Sequence, residues 1–297
     1  MKPLIFALPG NEDLAASLAV RIRAEVGKAL VRRFPDGETY FRIETPIEGR
    51  PVILCCTLDR PDAKAMPLLF AAQTARALGA VRIGLLAPYL SYMRQDRRFQ
   101  PGEGITSDYF ARFLSAFIDW LVTVDPHLHR RASLSEIYSV PAEIIHAAPL
   151  ISRWVRENIP SPVLIGPDRE SAQWVSEIAL GAGAPYLVLE KVRRGDREVE
   201  VSVPEFGRWR GCTPVLVDDI ISTGRTMIEA IVHLRRAGFS KPVCIGIHPI
   251  FADRAEEELR QAGASRVATC NTIPHPSNAI DLGDLLAEGV GRIEGAA

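Results

Sequence analysis

The stretch from Val215 to Thr226, VLVDDIISTGRT, sets two adjacent carboxylates ahead of a loop of small and hydroxyl-bearing residues. The apolar run Val215, Leu216 and Val217 reads as a buried parallel strand, and the Ser/Thr/Gly loop behind it suits a turn whose amides face outward. The segment that follows has the apolar periodicity of a helix. Backbone N–H groups of Ser222, Thr223, Gly224, Arg225 and Thr226, together with the positive end of that helix, make an anion cradle. Asp218 and Asp219 stand at the strand end, where sugar hydroxyls can be held. Phosphate with a polyol beside it is a sugar phosphate, and that is the ligand class expected here.

Three further segments carry chemistry-bearing residues. Leu85 to Arg98, LLAPYLSYMRQDRR, interleaves Tyr89, Tyr92 and Met93 with Arg94, Gln95 and Asp96, so flat surfaces and hydrogen-bond donors lie together, a mixture that suits a nucleotide. Phe34 to Tyr40, FPDGETY, has Asp-Gly turn chemistry and by itself predicts a hairpin. Glu190 to Arg197, EKVRRGDR, is crowded with like charges between two strand-like runs, which predicts a mobile cationic loop.

The elements that position these residues alternate between strand and helix patterns. The first half runs strand Leu4 to Ala7, helix Leu14 to Val26, strand Val52 to Cys56, helix Ala63 to Leu78, strand Ile83 to Ala87, a helix near Ile105 to Ala116 and strand Trp120 to Val124. After Val140-Pro141 the alternation restarts and includes strand Val163 to Gly166, helix Arg169 to Leu180, strand Val215 to Val217 and helix Thr226 to Ala237. The expected fold class is α/β, two tandem doubly wound domains with mainly parallel sheets, divided as residues 1–145 and 146–297. The chain tail is placed in the second domain, with the option that it packs back on the first.

At 297 residues the chain is long enough for two domains, and 47% hydrophobic with 24% charged is an ordinary globular balance. A formal net charge of −1 leaves no electrostatic footprint for nucleic acid or an anionic membrane, so phosphate binding must be local. Five cysteines without a C-x-x-C read as reduced core thiols. The N-terminal apolar run is too brief for a signal peptide, and no segment approaches a membrane span, so a cytoplasmic location is expected.

Taken in order, FPDGE, PYLSYMRQDRRFQPGEGITS, VTVDPH, GPD, EKVRRGD, VLVDDIISTGRT and IDLGDLLAEGV resemble the ribose-phosphate pyrophosphokinase family over nearly the whole chain, in a divergent or archaeal-like form. The resemblance implies two phosphoribosyltransferase-type domains, with ATP on the first and ribose 5-phosphate on the second. It implies transfer of the diphosphoryl group of ATP to the anomeric oxygen of ribose 5-phosphate, giving 5-phosphoribosyl 1-diphosphate and AMP, with Mg2+ as cofactor. Phe34, Asp36 and Glu38 are then on the adenine side of the ATP site, with Arg94, Gln95 and Asp96 completing it. The family's Phe loop comes from a neighbouring subunit, so a homo-oligomer, dimer or hexamer, is implied. His127 is implied at the triphosphate or its metal, and Asp168 is a further carboxylate near that metal. Lys191 and Arg193 match the family's K-x-R pair and join His127 as the catalytic set, closing as an electrostatic clamp over the charge that builds during transfer. Asp218, Asp219 and Ser222 to Thr226 bind the sugar phosphate. The chain departs from the family pattern at Arg225, which replaces a small residue, at Pro126, and at Arg169-Glu170-Ser171. These departures keep open a catalytically weak regulatory or sugar-phosphate-binding paralogue and, further off, a phosphoribosyltransferase.

Overall fold

A computed structural model describes residues 1–194, 198–202 and 206–295, with side chains described outside 190–207. The chain divides into two compact units, Met1–Ile145 with Gly283–Ala297, and His146–Leu282.

In the first unit β1 (Leu4–Ala7), β5 (Pro51–Cys55), β6 (Arg82–Ala87) and β7 (Trp120–Val124) are short apolar runs buried on both faces, the pattern that a sheet covered by helices on each side imposes. With β2 (Glu25–Val26) and β8 (Ala142–Ile145) they form a parallel sheet in the order β2-β1-β5-β6-β7-β8. Helices α1 (Glu12–Arg21), α2 (Pro61–Ala77) and α3 (Thr106–Ser115) connect the strands. A separate antiparallel pair, β3 (Ala29–Arg33) and β4 (Thr39–Ile43), is inserted between β2 and β5. Gly84 in β6 makes room for the buried Trp120 of the neighbouring strand, since a Cβ there would lie 2.0 Å from the indole.

The second unit contains α4 (Ala148–Asn158), β9 (Pro162–Gly166), α5 (Ala172–Ala182), β10 (Tyr186–Val188), the antiparallel pair β11 (Glu190–Arg194) and β12 (Glu198–Ser202), then β13 (Thr213–Ile221), α6 (Arg225–Arg236), β14 (Val243–Pro249), α7 (Ala255–Ala262), β15 (Arg266–Cys270) and β16 (Asn278–Ile280). Its main sheet is also parallel, in the order β10-β9-β13-β14-β15-β16. The two orders are the same plan: strand, helix, edge strand, antiparallel pair, then a return to the other side of the first strand. The last helix, α8 (Gly283–Gly295), belongs to the first unit, where Arg21 pairs with Asp284 at 2.7 Å and Arg292 with Glu143 at 2.6 Å.

The structure differs from the sequence reading at several points. The strand expected to stop at Val217 continues to Ile221, in register with β14 as far as Pro249. Tyr89 and Met93 do not face a ligand but are packed away, at 9% and 2% exposure, and Asp96 is buried with them, so of the residues singled out in that segment Tyr92, Arg94 and Gln95 stay accessible to a nucleotide. The five cysteines are free thiols, and burial pushes Cys56 and Cys244 up to about 12, which keeps them protonated and inert.

Candidate active site

In the second unit the acidic pair is carried within β13, so strand alternation sends Asp218 and Asp219 to opposite faces. Each carboxylate satisfies a local amide: Asp218 Oδ1 accepts the Asp219 N–H at 3.1 Å, and Asp219 Oδ1 accepts the Ile220 N–H at 2.8 Å. Burial first, then the neighbouring charges of Asp219 and Asp168, hold the Asp218 carboxyl well above the usual carboxylate range. Asp168 follows β9, the strand hydrogen-bonded to β13, and its loop is closed on itself by Ser171: the Ser171 N–H donates to Asp168 Oδ1 at 3.1 Å and its hydroxyl to the Asp168 carbonyl at 2.6 Å. Gly166 permits that turn, because a Cβ there would meet Ser171 Oγ at 2.5 Å. Asp168 and Asp218 are therefore crowded at the carboxyl ends of β9 and β13, with Asp219 next to them on the other face of β13.

The loop behind the pair opens α6. Gly224 is the N-cap, at φ +69 and ψ 0, the left-handed conformation that glycine adopts without cost. The turn leaves the first amides of α6 without intrahelical acceptors, so they and the dipole are suited to hold an anion. The loop is braced from the side, since the Phe251 N–H donates to the Ile221 carbonyl at 2.9 Å and the Ala252 N–H to the Ser222 carbonyl at 3.1 Å. Thr223 and Arg225 are exposed, Ser222 and Thr226 half-buried. Arg225 thus enters as the first helical residue with its side chain in solvent, and Arg169 and Glu170 are likewise exposed.

In the first unit the segment after β6 folds against the segment after β7. Tyr92 sits at φ +61, donates its hydroxyl to Asp62, and packs on Phe110 with ring centroids 4.7 Å apart. Arg94 is exposed, while Gln95 is held by Thr106, whose hydroxyl donates to Gln95 Oε1 at 3.1 Å. The Asp96 side chain, only 2% exposed, accepts from Arg130 Nη1 at 3.1 and 3.2 Å. The next residue, Arg131, donates to Asp108 at 2.5 Å and to the Asp96 carbonyl at 3.4 Å. His127 and His129 lie between these arginines and the end of β7, their rings edge to face at 4.0 Å.

The β3–β4 hairpin turns at Pro35 to Gly37, where the Phe34 N–H donates to the Glu38 carbonyl at 2.8 Å and Asp36 Oδ1 accepts the Glu38 N–H at 3.1 Å. Phe34, Asp36 and Glu38 are therefore together at an exposed tip. Behind them the Arg32 guanidinium lies 4.6 Å from the Phe34 ring centre and 4.5 Å from that of Tyr40. In the second unit Lys191 faces Val201 and Arg193 faces Val199 across the β11–β12 pair. Their side chains lie outside the described residues.

Sequence reasoning missed Arg32, Arg130 and Arg131. Each sits in a charged run with no periodicity of its own, and the available signal was only that two arginines follow His129.

Residues 3–117 match the family described as the N-terminal domain of ribose phosphate pyrophosphokinase, and residues 133–285 match the phosphoribosyl transferase domain. A ribose-phosphate pyrophosphokinase of Methanopyrus kandleri is 33% identical over 294 residues, covering 98% of this chain and all of the relative. One of Saccharolobus solfataricus is 35% identical over 243 residues, 81% of this chain and 82% of the relative. The crystal structure of phosphoribosylpyrophosphate synthetase from Mycobacterium smegmatis superposes with a TM-score of 0.88 over the full length of both chains at 24% identity, a likeness of fold.

Proposed function

Because the chain belongs to the ribose-phosphate pyrophosphokinase family, we propose the following assignment of its residues to the transfer of ATP's diphosphoryl group to the anomeric oxygen of ribose 5-phosphate. The products are 5-phosphoribosyl 1-diphosphate and AMP. Ribose 5-phosphate places its phosphate on the amides of Ser222 to Thr226 and its ring hydroxyls against Asp218 and Asp219. The single observation that carries this is the left-handed turn at Gly224 opening α6 directly behind a strand-borne acid pair. ATP belongs to the first unit, with Arg94 and Gln95 on the adenine side and His127 toward the triphosphate. Asp96 is held by Arg130 and so acts by fixing that loop. Phe34, Asp36 and Glu38, at an exposed tip, fit the adenine side of a neighbouring copy in a homo-oligomer.

The anomeric hydroxyl attacks the β-phosphorus, its O–P bond forms as the bond to the α-phosphate oxygen breaks, and its proton leaves to solvent without an assigned base. Charge rises on the equatorial and leaving oxygens, where Lys191 and Arg193 supply the compensating cations. Hard carboxylate oxygens suit Mg2+, and the crowding of Asp168 on Asp218 is a local excess of negative charge that a dication relieves. Asp168, in the second unit, and His127, in the first, are each assigned a metal-binding role, and a bound ion would neutralise charge on the phosphates. No helix among the described residues is long and apolar enough to cross a membrane.

The test is product analysis with MgATP and ribose 5-phosphate. AMP should appear only with the sugar phosphate and in equal amount to the sugar diphosphate. ADP as the product would overturn the assignment.

A further inference from the structure

The phosphate loop is aimed from behind, and we propose that His275 holds the aim, as a positioning residue for ribose 5-phosphate that acts through Phe251. Across a trans peptide the C=O and the N–H point in opposite directions, and no peptide bond among the described residues is cis. The Ile221 carbonyl shares its peptide plane with the Ser222 N–H, and the Ser222 carbonyl shares one with the Thr223 N–H. Both carbonyls are taken from one side, by the Phe251 N–H at 2.9 Å and the Ala252 N–H at 3.1 Å. The Ser222 and Thr223 amides are thereby turned to the other side, and they are two of the amides assigned to the phosphate. The direction of the cradle depends on where residues 251 and 252 put their N–H groups.

That segment needs an outside restraint to keep its shape. Phe251 sits at φ +41 and Asp253 at φ +57, two residues with side chains in the left-handed region on the short connection from β14 to α7. The connection has no glycine to take those angles freely. A bulky L-residue keeps such a conformation only where its surroundings over-determine it.

His275 supplies that restraint. Its ring lies against the Phe251 ring with centroids 4.5 Å apart and planes tilted by 45°. The imidazole is itself anchored, because Nδ1 accepts the Ser277 N–H at 3.2 Å and lies 2.8 Å from Ser277 Oγ. The His275 N–H donates to Asn278 Oδ1 at 2.9 Å, and Asn278 Nδ2 donates to the Cys270 carbonyl at 2.9 Å, which ties the ring to β15 and β16. On its other side Nε2 faces Glu256 Oε2, in the first turn of α7, at 3.7 Å. His275 therefore meets the strained connection at both of its ends. Its influence on the sugar phosphate runs through backbone and not through a group of its own, so it belongs to binding and not to the transfer step. The role rests on the reading of Ser222 to Thr226 as a phosphate cradle.

The experiment is steady-state AMP formation by the full chain, varying each substrate in turn, for the wild type, His275→Ala, His275→Phe and Thr223→Glu. His275→Ala should raise KM for ribose 5-phosphate by about 5- to 30-fold, the factor set by releasing one left-handed residue, with kcat and KM for ATP within about twofold. His275→Phe keeps a ring against Phe251 and should recover most of that loss. A residue that only supports the fold would lower the melting temperature and leave the ratio of the two KM values unchanged, and that result overturns the inference. In a Phe251→Gly background there is no ring to hold and glycine takes the left-handed angle freely, so His275→Ala should then change KM by less than about twofold. An undiminished effect in that background also overturns the inference. Thr223→Glu sets a carboxylate beside the cradle and should raise the same KM by about tenfold or more. A normal KM in Thr223→Glu overturns the cradle reading, whereas a raised one beside a normal KM in His275→Ala overturns only the role of His275. Hydrogen exchange of the Phe251 and Ala252 amides in the ligand-free protein gives a readout independent of turnover. It should be faster in His275→Ala and unchanged in Thr223→Glu, and equal rates in His275→Ala and the wild type overturn the inference.

Discussion

Replacing Gly224 by alanine separates the geometry of the phosphate loop from its chemistry. An added Cβ would stand 3.4 Å from Leu259 Cγ and 3.7 Å from the Ala255 carbonyl, both ordinary contacts, so sterics against neighbours cost little. The backbone sits at φ +69, and an L-residue held in the left-handed region costs about 1–2 kcal/mol. If the loop keeps its shape, that cost appears as lost stability. If the loop relaxes, the amides of residues 222–226 turn away from the phosphate and the same energy appears as a rise of about 5- to 30-fold in KM for ribose 5-phosphate. The ATP residues lie on the first unit, so KM for ATP should stay within about twofold. Steady-state AMP formation, varying each substrate in turn, reads the split, and thermal melting reads the stability. Gly224→Asn is the control, because asparagine tolerates the left-handed region far better than alanine, and it should recover most of the loss. The reasoning fails if asparagine is as damaging as alanine, or if the KM values for both substrates rise together.

Asp218→Asn should stabilise the metal-free protein while lowering sugar-dependent turnover at least tenfold. A carboxyl whose folded pKa lies above its unfolded value of about 3.9 costs stability progressively as pH rises through the interval between the two. The gain in melting temperature should therefore be larger at pH 8 than at pH 4, and an equal gain at both would refute this. Asp96→Ala and Arg130→Ala should each raise KM for ATP, and the double variant should be little worse than either single one. Additive losses would show that the bidentate contact at 3.1 and 3.2 Å is not what holds the loop. Gly84→Ala should lower the melting temperature with substrate KM values unchanged, since a methyl 2.0 Å from the Trp120 indole forces repacking that costs about 1–3 kcal/mol. Adding Trp120→Phe should return part of that loss.

The parts of the fold legible in the sequence were those with a two-sided core. Leu4–Ala7 and Trp120–Val124 can be read to the residue because a strand buried on both faces is a continuous apolar run. Glu25–Val26 is read as the end of the helix Leu14 to Val26, whereas α1 stops at Arg21, and Asn278–Ile280 escapes notice; both strands are too short for any period to show. β13 looks finished at Val217 because two acids in succession resemble the start of a loop. The strand continues because their carboxylates are satisfied by the amides of Asp219 and Ile220. The phosphate loop is likewise legible, as its function depends on backbone and needs only small residues in order. The arginines that support the nucleotide side are not. Arg130 meets Asp96 across 34 residues, and only tertiary placement tells a structural cation from a solvated one. The same holds for Tyr89 and Met93, whose burial is set by the sheet beneath them.

The central claim is that the β- and γ-phosphoryl groups leave ATP together and are received by the anomeric oxygen of ribose 5-phosphate. Single-turnover reaction with ATP labelled at the β-phosphorus tests it most directly, run with the wild type, Lys191→Ala and Arg193→Ala. The label should pass intact into 5-phosphoribosyl 1-diphosphate with unlabelled AMP released, and each substitution should slow that transfer by about 10²- to 10³-fold without moving the label elsewhere. Label retained in ADP, or a rate indifferent to both substitutions, would contradict the account.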